Sequence, residues 1–259
     1  MKKSFLVSRL VILVISAALS AALLAGCVSV DFSPMSGSGG GVSGGVTGSG
    51  ALETYSWTVG EITEIRVDIH SNIDIYSTPS DTVTLAIQPN LVEFIEVTEV
   101  GGILTVRSTR SIIPSSGRTP VLTVSTPALS SITIAGAGAI TAHDTISADS
   151  FSLMLGGAAS GRVDLDVGRL SVSIAGAGSF DFSGRADTAS ISMAGAGAVN
   201  ALSLQARIAD INLSGVGTVR VNSSEMLRVV AGGLGTVEYR GSPIVDIIRG
   251  GLVTVRNVD

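Results

Sequence analysis

From residue 131 onward, apolar side chains come in pairs two residues apart, and the pairs themselves recur. Ile132 and Ile134 are followed by Leu153 and Leu155, Val172 and Ile174, Ile191 and Met193, Ile211 and Leu213, Val229 and Ala231, then Ile247 and Arg249. Successive spacings are 21, 19, 19, 20, 18 and 18 residues. Ser or Thr fills many of the intervening positions, among them Ser131, Thr133, Ser171, Ser173, Ser190 and Ser192. A period of two predicts strands with one buried and one solvated face. Self-similarity at a fixed interval predicts a solenoid. No capped amphipathic helix of ten residues is visible after residue 130, and the L-x-x-L-x-L-x-x-N frame of leucine-rich repeats is absent. The expected fold is therefore all-β: a single-stranded parallel β-helix of 18–21 residues per coil. At ~4.8 Å per coil, seven units span roughly 35 Å.

Two further positions of the same parity are mostly glycine: Gly136 and Gly138, Gly176 and Gly178, Gly195 and Gly197, Gly215 and Gly217, Gly233 and Gly235. Such rows suit a place where the coil narrows or bends, where a Cβ would collide or φ must be positive. They are read as a structural glycine ladder, not as a ligand site. An apolar residue closes most units: Ile140, Phe180, Val199, Val219, Val237 and Val255. Two units depart from the pattern. Ala159 replaces the second glycine of one, and the last carries Arg249 on the core parity and Val253 where a glycine is expected. A terminal coil has to close the core, so an atypical one is anticipated.

Residues 53–125 carry strands of a different texture. Ile65, Val67 and Ile69, then Ile73 and Ile75, alternate with polar or charged neighbours. Residues 82–87 and 102–108 read as short strands and 112–120 as a loop. They are expected to continue the solenoid as less regular coils or to form a small β cap, with regular coils from about 126 to 259.

The N-terminal residues belong to another system. Lys2, Lys3 and Arg9 precede an apolar run over 10–24, the layout of a secretory signal. That run is shorter than the ~20 residues of a bilayer span. Leu24, Ala25 and Gly26 before Cys27 resemble the bacterial lipoprotein box, which implies cleavage at 26 and lipidation of Cys27. Cys27 is the only cysteine, so packing alone has to hold the fold. Val28, not Asp, follows it, which permits onward transport to an outer membrane. Residues 27–52 are expected to be the lipidated Cys and a Gly/Ser-rich flexible linker, and 53–259 the β-helix domain. Gly39, Gly41 and Gly44 match G-x-G-x-x-G, but no strand precedes and no helix pattern follows, so dinucleotide binding is not expected.

From Cys27 on, the chain has 13 Arg, no Lys and 21 Asp and Glu, a formal charge of −8. An acidic, lysine-free domain is not a nucleic-acid binder. It also lacks the lysine of a Walker loop or a Schiff base.

Several segments resemble one family. They are W-T-V-x-E-I-T-E-I-R-V-D-I from Trp57, G-G-I-L-T-V from Gly101, P-A-L-S-S-I-T-I-A-G-A-G from Pro127 and Y-R-G-S-P from Tyr239. Together with the multiplied small-Gly-small-Gly units they resemble the "putative auto-transporter adhesin, head GIN domain" family over about 55–257. That resemblance implies a right-handed β-helix in bacterial envelope proteins and lipoproteins. It implies no activity and carries over no catalytic residue.

Parallel β-helices also host polysaccharide chemistry, which needs converging carboxylates. Arg162, Asp164 and Asp166 share a strand parity, with Asp181 and Arg185 about one coil on. Asp164, Asp166 and Asp181 are thus the candidates for a polysaccharide hydrolase or lyase; the plainer reading is a solvated ion-pair surface. Residues 232–240 approach a calcium-binding nonapeptide, yet Val237 stands at the ligand Asp position. No metal or cofactor is expected. His70 and His143 are far apart in sequence and build neither a triad nor a zinc site. Tyr55 and Trp57 share a parity and are read as closing the N-terminal end of the core. The expectation is a surface-displayed, lipid-anchored binding, adhesion or scaffold module of the cell envelope. Its partners would be the membrane through the anchor, and a glycan or another envelope protein.

Overall fold

Each apolar pair stacks on its counterpart in the next coil. In the computed structural model, which describes residues 44–259, Ile132 pairs with Leu153, Leu153 with Val172, Val172 with Ile191, Ile191 with Ile211, Ile211 with Val229 and Val229 with Ile247. All these pairings are parallel, and the chain winds into a right-handed β-solenoid of about seven turns. The signal residues 1–26 with Leu24, Ala25 and Gly26, Cys27, and the linker up to residue 43 lie outside the described residues.

Three faces make up a coil. The front carries Ser131–Ile134, and the flank carries Ala137–Ala142. The rear begins the strand Ile146–Leu155, which then runs on into the next front. In the middle of the rod the strands are long because they pass the rear bends unbroken: Ala158–Ile174, Ala177–Met193, Ala196–Leu213 and Val216–Ala231. The last turns are Leu234–Arg240, Ile244–Arg249 and Leu252–Asn257. The variable repeat length has a location. Register slips at Asp181/Ser183, at Ala201/Gln205 and at Ala206/Ile208, all towards the rear. Front and flank therefore stay in step while the rear bends absorb the residues that a unit gains or loses.

The core is a stack of aliphatic side chains, each buried against copies above and below. Fully burying one such side chain is worth ~1.5–3 kcal/mol relative to leaving it exposed. In the column that runs through Ile140, Gly161 lies opposite Phe180. A Cβ on Gly161 would meet the Phe180 ring at 3.0 Å, so the ring uses the room that the glycine leaves. Phe180 packs in turn against Phe182, with ring centroids 6.2 Å apart.

Between front and flank the chain turns a tight corner. The N–H groups of Ala175 and Gly176 both donate to the Leu155 carbonyl, at 2.9 and 3.2 Å, and the Gly157 carbonyl accepts from Ala177 N–H at 2.9 Å. The Gly157 oxygen thereby lies directly under the Gly176 Cα, where a Cβ would overlap it. The same relation ties Gly195 to Gly176, Gly215 to Gly195 and Gly233 to Gly215, and it also includes Gly157 and Gly251. The second row differs in kind. Gly138, Gly197 and Gly235 have φ near +150° (152°, 147° and 148°), whereas Ala159 and Val253 occupy the same column without being glycine.

The N-terminal region continues the stack and then closes it. Glu64–Val67 lies parallel to Ser131–Ile134 with Ile65 opposite Ile132, and Ile73 of Asn72–Tyr76 lies opposite Ile140. Ile103–Ser108 and Val121–Ser125 add one more parallel layer. Beyond it the pairing turns antiparallel: Ile95–Val100 on Ile103–Ser108, Thr82–Ile87 on Val121–Ser125, and Glu53–Trp57 on Thr82–Ile87. Tyr55 and Trp57 pack against the core at this end.

One expectation is corrected here. Residues 44–52, read as linker, are held to the domain. Val46–Thr47 pairs with Ile112–Ile113, which the sequence places in a loop. The buried Gln88 amide donates to the Gly50 carbonyl at 3.1 Å and to Ser115 Oγ at 2.8 Å, and its oxygen accepts from Ser115 N–H at 2.9 Å. Gly/Ser composition describes local preference alone; the partners that fix this segment lie about forty to sixty-five residues away in sequence.

Candidate binding face

The front face is built by alternation: residues between the stacked apolar pairs point outward, and coil stacking turns them into rows. Ser131, Ser152, Ser171 and Ser190 stand opposite one another in consecutive coils. Beside them run Thr133, Met154, Ser173 and Ser192. In the first row hydroxyls thus repeat at the coil spacing of ~4.8 Å, each able to donate and accept; in the second the Thr133 oxygen is buried, and outward hydroxyls begin at Ser173 and Ser192. The sequence located these rows except in the second coil, where Ser152 continues the hydroxyls and Met154 interrupts them.

Towards the C-terminal end the same columns change chemistry. Ser190 is followed by Asp210, Arg228 and Asp246, and Ser192 by Asn212, Val230 and Ile248. Arg228 reaches Asp246 at 3.9 Å. Ser190, Ser192, Asp210, Asn212, Arg228 and Val230 line a shallow depression of about 450 Å³ on this face. The hydroxyl rows therefore run into a groove with both charges at its far end.

The acidic candidates lie elsewhere and apart. Asp164 accepts from Thr145 Oγ1 at 2.5 Å and from Ser183 Oγ at 2.7 Å, so both its oxygens are engaged. Asp166 lies opposite Arg185 on the rear. Asp181 lies opposite Arg162 on the flank and accepts from Asn200 Nδ2 at 2.9 Å. Asp181 lines two shallow depressions of about 220 and 300 Å³, and neither includes Asp164 or Asp166. The three carboxylates do not share a cleft. Among the described residues no three acidic, His or Cys side chains cluster as metal ligands would.

Asp181 instead belongs to a flank column that continues through Asn200, Arg220, Glu238 and Arg256. Glu238 is buried and bridges two coils, receiving Arg220 Nε at 2.7 Å and Arg256 Nε at 3.0 Å. The Arg256 hydrogen bond, against the opposing effect of burial and with help from Arg220, holds its carboxyl below the ordinary glutamate range. A depressed folded-state pKa contributes stability above the unfolded value near 4.5 and loses it as pH falls through the folded value. Thermal midpoints of wild type and Glu238→Gln, measured from pH 7 to pH 3, are expected to converge as the solution is acidified.

Sequence reading missed one arrangement. The His143 ring stacks on Tyr76 with centroids 4.4 Å apart, and its Nε2 lies 3.1 Å from Asp74 Oδ1. The signal exists only once residues 73–75 are known to lie opposite 140–142.

Comparison with known proteins gives a family and a fold. The family model described as "Putative auto-transporter adhesin, head GIN domain" matches residues 61–243. A putative adhesin from Bacteroides fragilis NCTC 9343 superposes with a TM-score of 0.77 at 23% identity, covering 83% of this chain and 100% of that one. A putative adhesin from Parabacteroides merdae ATCC 43184 gives 0.64 at 19% identity, covering 83% and 99%. A putative lipid binding protein from Parabacteroides distasonis ATCC 8503 gives 0.60 at 19%, covering 82% and 99%. At these identities the likeness is one of fold. No curated protein matches the chain.

Proposed function

The chain belongs to the family described as "Putative auto-transporter adhesin, head GIN domain", and on that premise we propose that it is an exported envelope protein, lipid-anchored at Cys27, which binds an extended glycan along its front face. The observation that carries this reading is the row of outward hydroxyls of Ser131, Ser152, Ser171 and Ser190, repeating coil by coil, with Ser173 and Ser192 beside it. A single hydrogen bond in water is worth only ~0.5–1.5 kcal/mol net. A face of this kind holds a ligand by many weak contacts in register, which favours a regular polymer over a small molecule. Aromatic stacking has no part in it, since Tyr55 and Trp57 are committed to the N-terminal core. The acidic composition from Cys27 onward turns nucleic acid away and leaves neutral or amphoteric envelope polymers as partners. A lipid on Cys27 would hold the module at the membrane surface, where adhesion and scaffolding both begin with such binding.

The experiment is retention of residues 44–259 on immobilised envelope glycans and envelope fractions, with released material analysed in parallel. Retention without shortened product supports a binding module. No retention on any fraction sinks it. Release of shortened sugars, abolished by Asp164→Asn or Asp166→Asn, replaces it with an enzyme.

A further inference from the structure

We propose that the front-face depression around Asp210 selects an amino sugar, whose free ammonium group is taken by the Asp210 carboxylate. The inference presupposes that the front face binds a glycan, and it names the chemistry that this part of the face prefers. Asp210 follows Ser190 in the first outward row and precedes Arg228. It lines the depression of about 450 Å³ together with Ser190, Ser192, Asn212, Arg228 and Val230. Asp210 is half-buried, yet among the described residues its side chain has neither an ion pair nor a hydrogen bond. Arg228 stands opposite it but reaches the other way, to Asp246 at 3.9 Å.

Several acidic groups on the other faces are engaged by the protein itself. Asn200 donates to Asp181, Thr145 and Ser183 donate to Asp164, and Arg207 reaches both Asp187 and Glu225. Asp149 and Asp166 have no such partner either, but both are exposed on the rear, where water satisfies them. Asp210 combines partial burial, a concave setting and no partner. A partly desolvated carboxylate left unpaired is costly, and a ligand cation that supplies a charge-assisted hydrogen bond offsets that cost.

The sign of the site follows from its column. Asp210 and Asp246 against Arg228 leave one negative charge, in a chain that is itself at a formal −8 from Cys27 onward. A cation is drawn in and an anion turned away. Asp210 is not joined by the further carboxylate or His ligands that a metal ion would want. What surrounds it suits a sugar instead. The Ser190 and Ser192 hydroxyls and the Asn212 amide can each donate and accept, as ring hydroxyls require. Val230 is partly exposed beside them and offers an apolar surface to the C–H face of a pyranose. Ser190 and Arg228 lie two coils apart, roughly 10 Å, which leaves room for one or two sugar units.

Residues 44–259 form a unit with a core of its own, so titration of that unit with soluble glucosamine oligomers and with their N-acetylated counterparts tests the proposal. The two probes share ring and linkage and differ in the ammonium group. Wild type is expected to bind the free amine roughly tenfold tighter or more, with an advantage that shrinks as salt is added. Asp210→Asn keeps the shape of the side chain and should level the two probes. Asp149→Asn removes the same charge from the exposed rear and should leave the preference as it is. Arg228→Gln removes the opposing cation and should sharpen it. Equal binding of both probes by wild type overturns the inference and leaves the glycan reading in place. Binding of neither probe overturns it too, and retention on envelope fractions then decides the glycan reading separately. A preference that survives Asp210→Asn, or that falls as far with Asp149→Asn, belongs to the field of the whole domain and sinks the assignment to Asp210. A lysine oligomer bound as tightly as the amino sugar makes the occupant a basic peptide and ends the proposal.

Discussion

Replacing Gly176 by alanine lowers the unfolding free energy by roughly 3–5 kcal/mol, and replacing it by valine prevents the coil from forming. The cause is backbone, not side-chain, crowding. The Gly157 oxygen occupies the space that the new Cβ needs, and that oxygen is fixed by its hydrogen bond from Ala177 N–H. Relief requires moving the corner away from the preceding coil. That movement strains the paired donation of Ala175 and Gly176 to the Leu155 carbonyl, where each buried group left unpaired costs ~1–3 kcal/mol. Gly156 supplies the control. It sits in the equivalent corner one coil earlier, yet a Cβ there meets only the Ile134 oxygen at an ordinary 3.8 Å. Gly156→Ala is expected to fall within ~0.5 kcal/mol of wild type. Urea unfolding of the three proteins decides the matter, and equal losses at Gly156 and Gly176 would show that composition and not stacking sets the glycine requirement.

Phe180→Ala is the second large effect, with an expected loss of ~3–5 kcal/mol. Phe180 is 1% exposed, leans over Gly161 in the neighbouring coil and packs on Phe182. Parallel stacking keeps the coils from collapsing into the space the ring leaves, because their backbones are tied by hydrogen bonds above and below. Gly161 tests whether ring and glycine share space: in wild type a Cβ there meets the Phe180 ring and the Ile140 carbonyl oxygen, both at 3.0 Å, whereas in the Phe180→Ala background only the Ile140 contacts remain, so Gly161→Ala costs less there. The double-mutant cycle should therefore show coupling between the two positions. Additive losses would mean that ring and glycine do not share that space.

The regular coils were legible because period and register coincide there. When Ile132, Leu153, Val172 and Ile191 are aligned by sequence, the alignment is already the strand pairing. The same arithmetic placed the outward Ser and Thr rows. It failed where contacts skip the repeat. Glu64–Val67 stacks on Ser131–Ile134 across sixty-seven residues, and nothing local in either segment announces the partner. A small β cap was one of two expectations for 53–125, but its antiparallel pairing and the docking of 44–52 on Ile112–Ile113 were not legible, for the same reason. The His143, Tyr76 and Asp74 contact was lost with them. The acidic trio shows the converse limit. Parity brings Asp164 and Asp166 onto one strand, but parity does not reveal that Asp181 stands opposite Arg162 and is engaged by the Asn200 amide of the next coil.

The front face carries the functional account, and charge placed in its rows tests it most directly. Ser171 and Ser190 are exposed and outward, so arginine at both disturbs the hydroxyl rows while the core beneath stays as it is. Gln205→Arg on the rear, also exposed, adds charge elsewhere as the control. Retention of the three proteins on envelope fractions should be lost for Ser171→Arg/Ser190→Arg and kept for wild type and Gln205→Arg. Undiminished retention of the front-face variant would contradict the account and move the binding surface off the hydroxyl rows.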